Sequence, residues 1–256
     1  MVRGVLGDAL RELGVRIVRG DWAPDEALPR EADLCAAPGV SRSVVREAFR
    51  ILGAKGMIRS RTSDGTRVLP RSEWRLLDPD VMDWRIRAGD HHALLLELMR
   101  VREVLEPGAV HAATRLADES ARAAVRSAWA AKVAVFETPS PDLLLRREAF
   151  IATDVAFHRA LLGAVGLPLL DQLFAVIEAA LSLLFNLQMR ARGYVTEMVG
   201  MEDGHRLHAE VVVAFEAGDA DAAEAAMRRL IARAAQDAEA GLEICRGPRS
   251  SCRPRR

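Results

Sequence analysis

The chain lacks most of what would place it in a secretory or membrane setting. Its three cysteines, Cys35, Cys245 and Cys252, show neither zinc-ribbon spacing nor an even disulfide framework, which excludes a stapled secreted scaffold and points to a reducing compartment. No apolar run is long enough for a membrane span, and MVRGVLGDALRELGVRIV is too charged for a signal peptide, so a cytoplasmic protein with no membrane partner is expected. Net charge is also absent. With 36 basic and 36 acidic residues, any nucleic-acid footprint must come from local clustering. Lysine is nearly missing: apart from Lys55 and Lys132 every basic residue is arginine, the side chain suited to planar, bidentate recognition of anions. What is present is 50% apolar content in 256 residues, enough for a real core in one large domain or two ordinary ones.

The grammar of the text changes near residue 71. Before it come short elements separated by turn residues; after it come long Ala/Leu/Arg/Glu stretches with apolar residues three and four apart. In the first part, Leu6, Leu10, Leu13 and Ile17 share a helical face over Val5–Val18, stopped by Gly20-Asp21-Trp22-Ala23-Pro24. Pro29 opens a short helix through Cys35, Pro38-Gly39 ends it, and Ser41 caps a helix through about Lys55. Two β-prone runs, 57–61 and 66–69, are joined by Thr62-Ser63-Asp64-Gly65, which suits a tight hairpin. The order is helix, helix, turn, helix, wing. Beyond, helices are expected near 81–87, 91–117, 119–136, 142–165, 168–192, 199–217 and 219–241, with Thr138-Pro139-Ser140-Pro141, Gly166 and Gly218-Asp219 as breaks. The fold class is mainly α: an N-terminal winged helix-turn-helix over 1–71, a linker and linking helix over 72–90, an all-α bundle over 91–243, and a basic, disordered tail over 244–256.

The helix that begins at Ser41 has the pattern of a major-groove reader. Small polar residues at its start present backbone N–H groups to a phosphate, and Arg42, Arg46 and Arg50 recur every four residues on one stripe while Val45, Phe49 and Leu52 form another. Basic residues outnumber acidic ones up to residue 71, and the excess follows Ser41. The run LPREADLCAAPGVSRSVVREAFRILGAKGMIRSRTSDGTRVLP resembles the winged helix-turn-helix of the GntR family of bacterial repressors over nearly all of 5–70. That resemblance implies double-stranded operator DNA as partner, with Arg42, Ser43, Arg46 and Arg50 on the recognition helix, Ser41 at a phosphate, and Gly65 letting the wing tip enter the minor groove. Two positions depart from the pattern: Ala32 stands where many members have arginine, and Asp64 puts a negative charge at the wing tip.

In an all-α bundle, chemistry comes from side chains that converge from different helices. Asp154 and His158, four residues apart among apolar neighbours, can bind one divalent metal or simply hydrogen-bond to each other. Arg102 lies among Leu98, Val101 and Leu105, where its charge needs an answer from Glu106 or from a bound anion. Residues 91–241 resemble the FCD effector domain of the FadR branch of the GntR family. That resemblance implies a metal held by Asp154, His158 and His208, with Leu230 where the family's last histidine falls. A divalent Zn, Ni or Mn with three protein ligands, or a site that has lost its metal, both remain open; His205 is a conceivable substitute. It also implies that Arg102 grips an effector carboxylate, and Glu106 can orient the guanidinium whose remaining donors do so. The linker text from Glu73 to Trp84 and Ala32-Asp33-Leu34-Cys35 resemble the branch that responds to sugar acids such as D-galactonate. Trp74 and Trp84 are expected to pack between domains. The resulting reading is a homodimeric repressor released from its operator by a small carboxylic acid, not an enzyme; the alternative is a metal-dependent hydrolase or lyase tethered by a winged helix.

Overall fold

The computed structural model describes residues 4–36, 40–138, 142–175, 177–178, 182 and 201–245. The chain divides into two compact units, Met1–Leu94 and Leu95–Arg256.

In the first unit, α1 (Gly4–Arg19) buries Leu10, Leu13 and Ile17 on the stripe that their spacing predicts. Helix α2 (Arg42–Ala54) is capped by Ser41, whose hydroxyl accepts from the Val44 N–H at 3.4 Å, and it buries Val45, Phe49 and Leu52 against α1. Strands β1 (Ile58–Arg61) and β2 (Gly65–Val68) pair antiparallel with Arg61 opposite Gly65. The three-residue turn between them works because Gly65 takes a positive φ of 74°.

Three details differ from the sequence reading. The expected helix from Pro29 is only a 3₁₀ turn, Asp33–Ala36, while its stop at Pro38-Gly39 lies outside the described residues. The segment after Pro24 is not mere punctuation: it bonds along β2, with Asp25 N–H to Val68 O and Leu28 N–H to Thr66 O, both 2.8 Å. Finally, the linking helix α3 (Pro79–Arg87) packs on α1 within this unit. Trp84 is only 2% exposed, and a methyl group at Gly14 would collide with its ring. The Trp74 indole N–H donates to Leu69 O at 2.8 Å. Trp84 thus belongs to the first unit's own core, and the partly buried Trp74 packs against that core. Lys55 ties the two ends together: it follows α2 and binds Asp78, the cap of α3, at 2.7 Å and Asp80 at 2.9 Å.

The second unit is helical throughout its described residues, apart from turns. It comprises α4 (His91–Leu116, whose first turn precedes the division), α5 (Glu119–Glu137), α6 (Leu143–Gly163), α7 (helical over 168–175), α8 (Met201–Ala217) and α9 (Ala220–Cys245). Helix α5 packs on α6 and α8, and α8 on α9, around Phe157, Leu161, Val211, Phe215, Met227 and Ile231. Leu230 is buried at 4% exposure. Helix α9 continues to Cys245, past the domain end expected at 243; the rest of the tail, the Pro139–Pro141 break and most of 179–200 lie outside the described residues.

Candidate functional site

The α2 stripe stands as its spacing implies: Arg42, Arg46 and Arg50 are all exposed. Arg46 bonds Glu31, with Nη2 to Oε2 at 3.0 Å, and Arg50 grips Glu47 at 2.6 and 2.9 Å. Ser41 and Ser43 share a hydroxyl contact of 2.7 Å at the helix start. At the wing, the troublesome Asp64 is answered within the hairpin: Arg67 binds it through two 2.8 Å bonds and holds its carboxyl below the usual carboxylate range.

The second unit brings together residues singled out at three places in the sequence. On α4, Arg102 and Glu106 are 5% and 2% exposed and joined by Arg102 Nε to Glu106 Oε1 at 2.5 Å. From α6, His158 sets Nδ1 3.0 Å from Glu106 Oε2, too bent for a hydrogen bond, and Nε2 3.5 Å from Arg102 Nη2. From α8, His208 approaches His158 Nε2 to Nε2 at 3.3 Å and lies 3.1 Å from Asp154 Oδ1. Asp154 and His158 are 4.0 Å apart, so the simple intrahelical hydrogen bond between them does not form. His205 is elsewhere: its ring stacks on Phe136, with centroids 4.1 Å apart, and on Trp129.

Both domains also match known families. Residues 7–68 match the bacterial regulatory proteins of the gntR family, and residues 97–233 match the FCD domain. The chain belongs to the GntR family. It is 32% identical to the galactonate operon transcriptional repressor of Escherichia coli K12 over 86% of this chain and 90% of that protein. It is 30% identical to an uncharacterized HTH-type transcriptional regulator of the same organism, over 86% of this chain and 89% of that protein. Its fold is like that of a solved structure titled for Lar, which controls expression of the Listeria monocytogenes agr system, with a TM-score of 0.57 at 17% identity, covering 94% of this chain and 99% of the other. This GntR protein is a ligand-responsive, DNA-binding transcriptional regulator, and with that the hydrolase or lyase alternative falls.

The FCD family implies a metal, and the donor set of this GntR regulator fits one. His208 Nδ1 is 2.6 Å from the Gly204 carbonyl, so its proton sits there and Nε2 keeps a lone pair. The His208 lone pair lies beside Asp154 and 3.3 Å from His158 Nε2, an arrangement that suits a cation between them. Asp154, His158 and His208 offer donor atoms all within 4.8 Å of one another. Burial pushes His208 below the ordinary imidazole range, which keeps it neutral and able to ligate.

Sequence reasoning missed two charged residues of this regulator. Lys132 on α5 is fully buried, donates to Asp154 Oδ1 at 2.6 Å and lies over the Phe150 ring at 4.3 Å. Burial opposes the charge on Asp154, but the Lys132 ammonium 2.6 Å away outweighs it and holds the carboxyl well below its usual range. Glu178 is the other; burial pushes it up, only partly offset by Arg159. Both could have been found by spacing. Lys132 falls on one helical face with Val125, Trp129 and Phe136, and Glu178 lies four residues after Phe174.

Glu106 gives this regulator a pH signature. Desolvation disfavours its charge, yet Arg102 and His158 bring it down to about 2 from an ordinary 4.5. A carboxylate with a depressed folded-state pKa contributes stability above its unfolded value and loses it as pH falls through the folded one. The wild type should therefore lose about 3 kcal/mol at this group between roughly pH 5 and pH 2. Thermal melts across that window should show a shallower slope for Glu106→Gln; equal slopes would mean that Glu106 is not held ionised.

Proposed function

We propose that the protein represses a sugar-acid catabolic operon and leaves its operator when D-galactonate or a related hexonic acid binds the second unit. The observation that carries this reading is a buried guanidinium, Arg102, beside a three-residue metal-ligand cluster, at 5% exposure and with one carboxylate, Glu106, to orient it. An acid that offers a carboxylate to Arg102 and a hydroxyl beside it matches such a donor set. The relative named for the galactonate operon supports the same class. Asp154, His158 and His208 would hold a divalent Zn, Ni or Mn, which supplies coordination positions for hard oxygen donors of the acid. The cavity shared by Arg102, Glu106, Asp154 and His158 is about 20 Å³, close to the space of one water, so a six-carbon acid enters only by displacing side chains. That displacement is what a ligand switch requires.

On the DNA side, Ser41 and Ser43 meet phosphate at the start of α2, Arg42, Arg46 and Arg50 face the groove, and Gly65 shapes the wing tip for the minor groove. A second copy places a second recognition helix one DNA turn away, and Val101 and Val104 of α4, 38% and 77% exposed, offer apolar surface for that homodimer. A regulator of this kind works on the cytoplasmic chromosome; no described helix is long and apolar enough to cross a membrane. A gel shift on the protein's own upstream DNA with a panel of sugar acids tests the reading, alongside light scattering and metal analysis. Release by a hexonate, with a dimer in solution, is the expected result. Operator binding indifferent to every acid would remove the effector reading.

A further inference from the structure

We propose that Glu178 determines effector specificity, its uncommitted carboxylate oxygen accepting a hydrogen bond from a hydroxyl of the bound acid. The proposal rests on the sugar-acid reading above and adds the group that would recognise the sugar part. Glu178 is 7% exposed, and its Oε2 takes both bonds from Arg159, Nε at 2.9 Å and Nη2 at 2.6 Å. Its Oε1 is buried and has no hydrogen-bond partner among the described residues. The side chain lines the same cavity as Arg102, Glu106, Asp154 and His158. Arg159 thus fixes the carboxylate by one oxygen and leaves the other to be satisfied in a place where a buried acceptor without a donor is costly.

Arg102 and Glu178 ask for opposite things. The guanidinium has only donors to give and selects a carboxylate; the Glu178 oxygen can only accept and selects a hydroxyl. A polyhydroxylated acid meets both. A plain alkanoic acid of the same length can meet Arg102 but leaves Glu178 facing hydrocarbon. Discrimination of this kind is strong because the mismatch strands a polar group of the site. Glu178 therefore separates sugar acids from simple carboxylic acids, whereas Arg102 binds both.

The test is calorimetry with D-galactonate and hexanoate on the wild type and on Glu178→Leu, with ligand-free operator binding as the check that the variant folds. The wild type should favour galactonate strongly, and Glu178→Leu should weaken galactonate about ten- to a hundredfold while hexanoate binds as before or better. A folded Glu178→Leu with unchanged galactonate affinity overturns the proposal and leaves the sugar-acid reading intact. So does a wild type that binds both acids equally, an outcome that does not depend on any variant folding. A wild type that binds no sugar acid removes the underlying reading and this proposal together.

Discussion

Arg42→Ala and Arg46→Ala should each weaken operator binding about ten- to a hundredfold if the guanidinium reads a base edge, and the double variant should abolish specific binding. Both side chains are exposed on the α2 stripe, on a helix whose start is fixed by the Ser41 cap. Arg46 is engaged with Glu31 in the free protein, so DNA must replace that carboxylate with its own acceptors. A base contact and a phosphate contact separate in a salt titration: loss of a phosphate contact lowers the slope by about one ion, whereas loss of a base contact lowers affinity and relaxes sequence preference at constant slope. Wild-type affinity for both variants across the salt range would remove α2 from the groove.

The outline of the DNA-binding unit was legible because its signals are local. Ser41, the arginine repeat and the Asp64-Gly65 turn each act within four residues, and the helix and hairpin they imply are present. What escaped was non-local. The pairing of 25–28 with β2 joins residues about forty apart, and the seat of Trp84 over Gly14 joins residues seventy apart; neither leaves a mark in a short window of sequence. The candidate site in the second unit divides in the same way. Asp154 and His158 announce themselves by i, i+4 spacing and Arg102 with Glu106 likewise, but Lys132 lies in an Ala-rich helix where a lysine reads as solvated surface. Only its face, shared with Val125 and Trp129, reveals that it points inward. Burial of its charge is possible because Asp154 arrives from another helix, which no property of α5 alone foretells.

Removing Arg102 should abolish the response to acid while sparing the operator. In Arg102→Met, affinity for D-galactonate should fall at least a hundredfold, because a buried guanidinium that meets a carboxylate bidentately has no substitute among neutral side chains. The variant also leaves Glu106 charged, 2% exposed and without its 2.5 Å partner, with His158 as its remaining polar neighbour among the described residues. Breaking a buried pair from one side costs about 3–5 kcal/mol, so the single variant should melt well below the wild type. Arg102→Met combined with Glu106→Gln removes the stranded charge and should recover most of that loss. The double variant therefore separates two roles that the single one confounds: it should fold and bind operator like the wild type, yet remain bound when D-galactonate is added. Release of the folded double variant by galactonate would show that Arg102 serves only to neutralise Glu106, and would move recognition of the carboxylate to the Asp154, His158 and His208 cluster.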